Sequence, residues 1–71
     1  MKAYYVIFEW AGNNYSAYVP DLPGCISTGK TLEETEIKIK EAIELYIDTL
    51  KEDGQIIPEP SIQAKPIYIG A

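Results

Sequence analysis

The 71-residue chain contains no histidine and no arginine, and its single cysteine is Cys25. Without histidine or a second cysteine, the chain has no plausible zinc ligand set and no internal disulfide. A nucleophilic cysteine needs a base, typically histidine, so Cys25 is predicted to be a small buried side chain. We therefore expect no metal and no cofactor, and a lone reduced thiol is typical of a reducing compartment.

Positive charge is scarce, since six lysines stand against eleven acidic residues and the formal net charge is −5. Proteins that bind phosphate backbones need clustered lysine and arginine, so direct binding of nucleic acid is not expected. An acidic domain is better suited to a basic protein partner, because complementary charge speeds encounter and selects the partner.

Long hydrophobic runs are also missing. The longest one, Ala3 to Phe8, is far too short to span a bilayer, and Met1-Lys2 leads directly into strand-like sequence without a signal peptide. We expect a cytoplasmic protein with one domain over residues 1–71. A core this small, with no disulfide or metal to support it, favours a homo-oligomer (dimer or higher) or an obligate complex.

The chain shows four strand-like segments and one helical segment. Residues 3–10, 15–19, 25–28 and 62–69 predict strands, and residues 31–53 predict a helix. Thr31 and Glu34 have capping-box spacing, and Gly54 is suited to the position just after the helix. Pro66 lacks an N–H, so the last strand should lie at a sheet edge or begin after it. The order β-β-β-α-β predicts an α+β fold in which a four-stranded mixed sheet, in the order 3-2-1-4, packs one face against the helix.

One helix can cover only one face of such a sheet. Val6, Phe8 and Trp10 are the expected sheet contribution to the core, and the helix contributes a stripe at helical spacing: Leu32, Thr35, Ile39, Ala42, Ile43, Tyr46, Ile47 and Leu50. Tyr5 and Ile7 would then lie on the bare face of the sheet, and Ile37 and Leu45 point away from the stripe. We interpret these four side chains as an interface with another copy or a partner. The alternative is scattered surface hydrophobes, which are common.

A proline-rich turn joins the second and third predicted strands. Pro20 and Pro23 fix the backbone, Gly24 supplies a torsion that other residues resist, and Asp21 is suited to an Asx-type cap. Leu22 would fill the edge of the core. The alternative is that this rigid loop presents Asp21 or Leu22 to a partner.

Two motifs carry a family resemblance. The segment Tyr18-Val19-Pro20-Asp21-Leu22-Pro23-Gly24-Cys25, followed by Thr28-Gly29-Lys30-Thr31-Leu32-Glu33-Glu34, resembles the HicB family of bacterial and archaeal antitoxins. The tract Glu41-Ala42-Ile43-Glu44-Leu45-Tyr46 and the pair Asp53-Gly54 support the match. The resemblance implies a partial RNase H-like fold.

The same resemblance implies the antitoxin half of a type II toxin–antitoxin pair. Such a protein would mask a HicA-type toxin, a small basic mRNA interferase, by stoichiometric binding. The alternative is a solitary HicB-like module that self-associates without a toxin. Many family members continue into an operator-binding segment, and no such C-terminal DNA-binding domain is expected in this chain.

An RNase H-like fold raises the question of metal-dependent nuclease chemistry. Two-metal cleavage needs carboxylates that converge from the first strand, the helix and the last strand. Glu9 could serve on the strand, and Glu34 or Glu41 on the helix, but residues 61–71 contain no acid. We therefore predict that the protein is not an enzyme.

Overall fold

The computed structural model describes residues 2–71, and three strands precede one helix. The elements are β1 (Ile7–Trp10), β2 (Tyr15–Tyr18), β3 (Ile26–Gly29) and α1 (Leu32–Glu52). The strands form an antiparallel sheet in the order β1-β2-β3. In its register Ile7 pairs with Tyr18, and Tyr18 pairs with Ile26. Because successive side chains of a strand point to opposite faces, paired residues share a face of the sheet.

The predicted four-stranded sheet in the order 3-2-1-4 is wrong. Residues 62–69 form no strand in the part of the chain that the structure describes, and Tyr68 is 91% exposed. These residues have strand-forming composition, but β-propensity measures fit to a sheet and not an intrinsic backbone preference. The segment is held instead at Ser61 and Ile62, whose N–H groups donate to Asp21. The sheet is three-stranded and antiparallel, and the partial RNase H-like arrangement that required a fourth strand is not formed.

The predicted helix boundaries are confirmed. Thr31 caps the N-terminus, where the Glu34 N–H donates to Thr31 Oγ1 at 3.0 Å. The Glu34 carboxylate accepts from the Lys30 N–H at 2.7 Å, one residue earlier than a standard capping box would place it. At the other end Asp53 is the C-cap, and Gly54 follows in the left-handed region with φ +66°.

The core lies between the helix side of the sheet, the β2–β3 loop and α1. Its buried apolar members are Ala17, Val19, Leu22, Cys25 and Ile39, and the partly buried side chains packed against them are Tyr4, Val6, Phe8, Ala42, Ile43 and Tyr46. The predicted helix stripe is confirmed at Thr35, Ile39, Ala42, Ile43 and Tyr46, whereas Ile47 and Leu50 are only partly buried and Leu32 is exposed. Trp10 is also exposed and not in the core. No helix among residues 2–71 combines the length and the apolar character needed to cross a membrane.

Candidate partner-binding surface

The β2–β3 loop is a self-contained structural unit. Its backbone closes on itself, since the Leu22 N–H donates to the Val19 carbonyl and the Cys25 N–H donates to the Leu22 carbonyl, each at 3.0 Å. Gly24 adopts φ +82°, as predicted for a torsion that other residues resist. Leu22 is fully buried. The hypothesis that this loop presents Leu22 to a partner is therefore wrong, because the side chain fills the core.

Asp21 binds the C-terminal segment and does not cap its own turn. Its Oδ2 accepts from the Ser61 N–H at 3.0 Å and from the Ile62 N–H at 3.3 Å, and its Oδ1 accepts from the Ser61 hydroxyl. The hydrogen bonds from the Ser61 side chain and backbone lower the pKa of the Asp21 carboxyl below its ordinary value. Asp21 therefore acts as an anchor for the chain after the helix.

The side of the sheet that faces away from α1 carries an uncovered apolar row. Ala17 is buried beneath the helix, so its neighbour Tyr18 faces the other side together with its partners Ile7 and Ile26. Ile26 is 68% exposed, and Tyr5, two residues before Ile7, is half exposed. We call Tyr5, Ile7, Tyr18 and Ile26 the open sheet face. The prediction that Tyr5 and Ile7 share a face that the helix leaves bare agrees with this geometry.

The two helix residues predicted to point outward do so but do not form one patch. Ile37 and Leu45 are both largely exposed, and eight residues separate them, which is about 12 Å along a helix. Leu45 lines a groove of about 460 Å³ together with Ile26 and Cys25. Leu45 therefore extends the open sheet face around the β3 edge, whereas Ile37 is isolated from it.

The residues weighed for catalysis are not brought together. Cys25 is buried, and burial raises the pKa of its thiol, which disfavours the thiolate. The carboxylate of Glu34 is engaged by Lys30 and by Lys38, whose Nζ lies 3.4 Å from it. Residues 2–71 contain no group of three or more cysteine and acidic side chains arranged to hold a metal ion.

Sequence reasoning missed two members of the open sheet face, Tyr18 and Ile26. Strand alternation counted outward from Ala17 identifies both, but it requires knowing that Ala17 is the buried residue of β2. Sequence reasoning also missed that Ile67, Tyr68 and Ile69 are exposed, because their composition suggested a strand of the chain's own sheet.

Fold and surface together define a small α+β protein with a wide apolar sheet face open to solvent. A family model described as the HicB-like antitoxin of bacterial toxin–antitoxin systems matches residues 4–68. The chain belongs to this HicB-like antitoxin family, which confirms the resemblance carried by its two motifs.

Proteins of the UPF0150 group are similar to this chain over most of its length. One from Thermoplasma acidophilum is 41% identical over 68 residues, which cover 96% of this chain and 99% of the relative. One from Archaeoglobus fulgidus is 40% identical over 67 residues, covering 92% of this chain and 97% of the relative. One from Synechocystis is 46% identical over 55 residues, covering 78% of this chain and 70% of the relative. No solved structure matches the chain.

Proposed function

We propose that the protein is an antitoxin that binds a HicA-type toxin, a small basic mRNA interferase, and masks it by stoichiometric binding. Membership of the HicB-like antitoxin family supports the antitoxin role. The mechanism requires no chemistry from this chain, because a protein that covers the toxin's RNA-binding surface prevents access of the RNA. The lone buried thiol of Cys25 suits a reducing compartment, and the proposal places the protein in the cytoplasm.

The observation that carries the proposal is the open sheet face. It joins a row of paired apolar side chains, Ile7, Tyr18 and Ile26, to a second row formed by Glu9, Ser16 and Thr28. An apolar centre with a polar rim is the usual anatomy of a protein interface. Tyrosine, which occurs here at Tyr5 and Tyr18, is enriched among residues that dominate binding energy.

Charge supports a basic occupant for this face. The chain has a net charge of −5, and Glu9 lies in the polar row beside the apolar one. A basic toxin that approaches this surface meets a field of opposite sign, which raises its association rate and disfavours acidic competitors. The apolar row then supplies the burial that keeps the complex together.

The test is co-expression of the chain with a HicA-type toxin, using a variant in the open sheet face. Ile26→Lys places a positive charge at the most exposed position of the face and should weaken toxin binding by ~10-fold or more, restoring toxicity. The matched control is Ile56→Lys, because Ile56 is 91% exposed and lies outside this face. Circular dichroism checks that both variants fold, and titration calorimetry measures the affinity.

Two results would contradict the proposal. One is an unmodified chain that neither co-purifies with the toxin nor suppresses its toxicity. The other is an Ile26→Lys variant that masks the toxin as well as Ile56→Lys does, which would move the interface away from the open sheet face.

A further inference from the structure

A groove of about 600 Å³ lies between α1 and two segments, one before β1 and one after the helix. Its apolar lining is partly buried and consists of Tyr4, Ile43, Ile47 and Ile57. Its charged lining is exposed and consists of Lys2, Lys40, Glu44 and Lys51. We call these eight residues the lysine-lined groove. It shares no residue with the open sheet face, so it is a second, separate surface.

The lysine-lined groove concentrates positive charge on an acidic protein. Three of the six lysines of the chain line it, against one of the eleven acidic residues. Lys2 is paired with Glu59. Within residues 2–71 neither Lys40 nor Lys51 forms an ion pair, so two ammonium groups are available to an occupant. This charge favours an acidic occupant and disfavours a basic one such as the proposed toxin.

The spacing of the two available lysines indicates an elongated occupant. Lys40 and Lys51 are eleven positions apart on α1, which is about 16 Å along a helix. Ile43 and Ile47 lie between them on the same stripe of the helix. A small anion with one charged end reaches only one of the two lysines. An extended peptide, at about 3.3 Å per residue, spans the distance with about five residues. The pattern that fits is an acid at each end of an apolar stretch.

Internal contacts hold the wall of the groove that faces α1. Lys2 pairs with Glu59, and the Tyr4 hydroxyl donates to the Pro58 carbonyl, so the segment before β1 is fixed to the segment after the helix. A groove that is already formed needs less ordering when it binds a partner. Glu44, between the two available lysines, disfavours an acid in the middle of the occupant and so adds selectivity.

We propose that the lysine-lined groove binds an extended segment of a partner protein in which acidic residues flank apolar ones. The apolar side chains would cover Ile43 and Ile47, and the two acids would meet Lys40 and Lys51. Because the charge of this groove is opposite to that of the open sheet face, its partner is a different protein from a basic toxin. The inference does not depend on toxin masking.

Fluorescence anisotropy of a labelled peptide tests the proposal with the full chain alone. The acidic probe carries a glutamate at each end of an apolar stretch of about four residues, and the neutral probe carries glutamine in place of glutamate. The acidic probe should bind ~5-fold more tightly than the neutral one, since two exposed ion pairs each contribute modestly. This difference should shrink as salt is raised. Sodium dodecanoate, which has a single charge, should displace the probe poorly.

A pair of matched variants locates the binding site. Lys40→Gln/Lys51→Gln should weaken binding of the acidic probe by ~5-fold and leave the neutral probe unaffected. The control, Lys30→Gln/Lys65→Gln, removes the same charge from two lysines outside the groove and should change binding by less than ~2-fold. All four lysines are exposed, so both variants should fold, and circular dichroism checks this.

Four results would overturn the proposal. One is a lack of binding of the acidic probe up to about 1 mM. Another is equal binding of the acidic and neutral probes, which would remove the role of charge. Equal losses in the two double variants would show that net charge, and not this groove, binds the probe. Displacement of the probe by dodecanoate at a lower concentration than by unlabelled peptide would assign the groove to a small amphipathic anion.

Discussion

Gly29 and Thr35 mark the closest approach between the sheet and the helix. Gly29 is the last residue of β3, and Thr35 is fully buried in the first turns of α1. The Thr35 hydroxyl is fixed there, because it donates to the Thr31 carbonyl at 2.7 Å. A methyl group added at Gly29 would lie 2.5 Å from Thr35 Oγ1 and 3.0 Å from Thr35 N. This contact requires the smallest side chain, since the backbone of Thr35 cannot move without moving the helix.

We therefore expect Gly29→Ala to destabilise the fold by about 1–3 kcal/mol, the usual cost of forcing an extra methyl into a packed site. The free energy of unfolding in urea measures the effect. The matched control is Gly70→Ala, because nothing lies within 4 Å of a methyl group at that position. Its stability should stay within about 0.5 kcal/mol of wild type. Equal stability of Gly29→Ala and Gly70→Ala would show that the helix can shift to accept the methyl.

The residues of the turn between β2 and β3 have different roles, and only some of these roles could be predicted from the sequence. The rigid turn around Pro20, Pro23 and Gly24 was predictable, because proline and a left-handed glycine constrain the backbone locally. The partner of Asp21 was not predictable, since Ser61 is 40 positions away in the chain. A local rule identifies a residue that can accept hydrogen bonds, but the fold decides which donors reach it.

The helix could be predicted from local sequence, whereas the structure of the segment that follows it could not. The limits of α1 follow from Thr31 and Gly54, which act on their own neighbours, so they could be predicted. Residues 62–69 have an equally clear composition, but a strand exists only where a second strand accepts it. In this protein Asp21 holds Ser61 and Ile62 beside the β2–β3 loop, and that contact depends on tertiary structure.

Asp21 makes the attachment of the C-terminal segment dependent on pH. Hydrogen bonds from Ser61 hold the pKa of Asp21 below 3.8 in the folded protein, so folding favours the charged carboxylate. The attachment is therefore fully formed above about pH 4, and it is lost as the pH falls through the lowered pKa that Asp21 has in the folded protein. Asp21→Asn should speed amide exchange of Ser61 and Ile62 at neutral pH, and this difference from wild type should disappear in acid.

The control for this experiment is Asp48→Asn, since Asp48 is an exposed acid on α1, away from the segment. It removes the same charge and should leave the exchange of Ser61 and Ile62 unchanged at every pH. If Asp21→Asn behaved like Asp48→Asn, the hydrogen bonds to Asp21 would not be what holds the segment.

In the proposed complex, the net charge of −5 should govern how fast a basic toxin is captured. Charged surfaces steer encounter over a distance close to the Debye length, about 10 Å at 0.1 M salt, so the association rate constant should fall steeply as salt is raised. The dissociation rate should change little, because it depends mainly on the apolar row. Stopped-flow mixing at several salt concentrations measures both rate constants. An association rate unaffected by salt would contradict electrostatic steering.

Two variants that remove the same charge test which part of the surface steers the toxin. Glu9→Gln, beside the apolar row, should slow association more than Glu52→Gln at the end of α1.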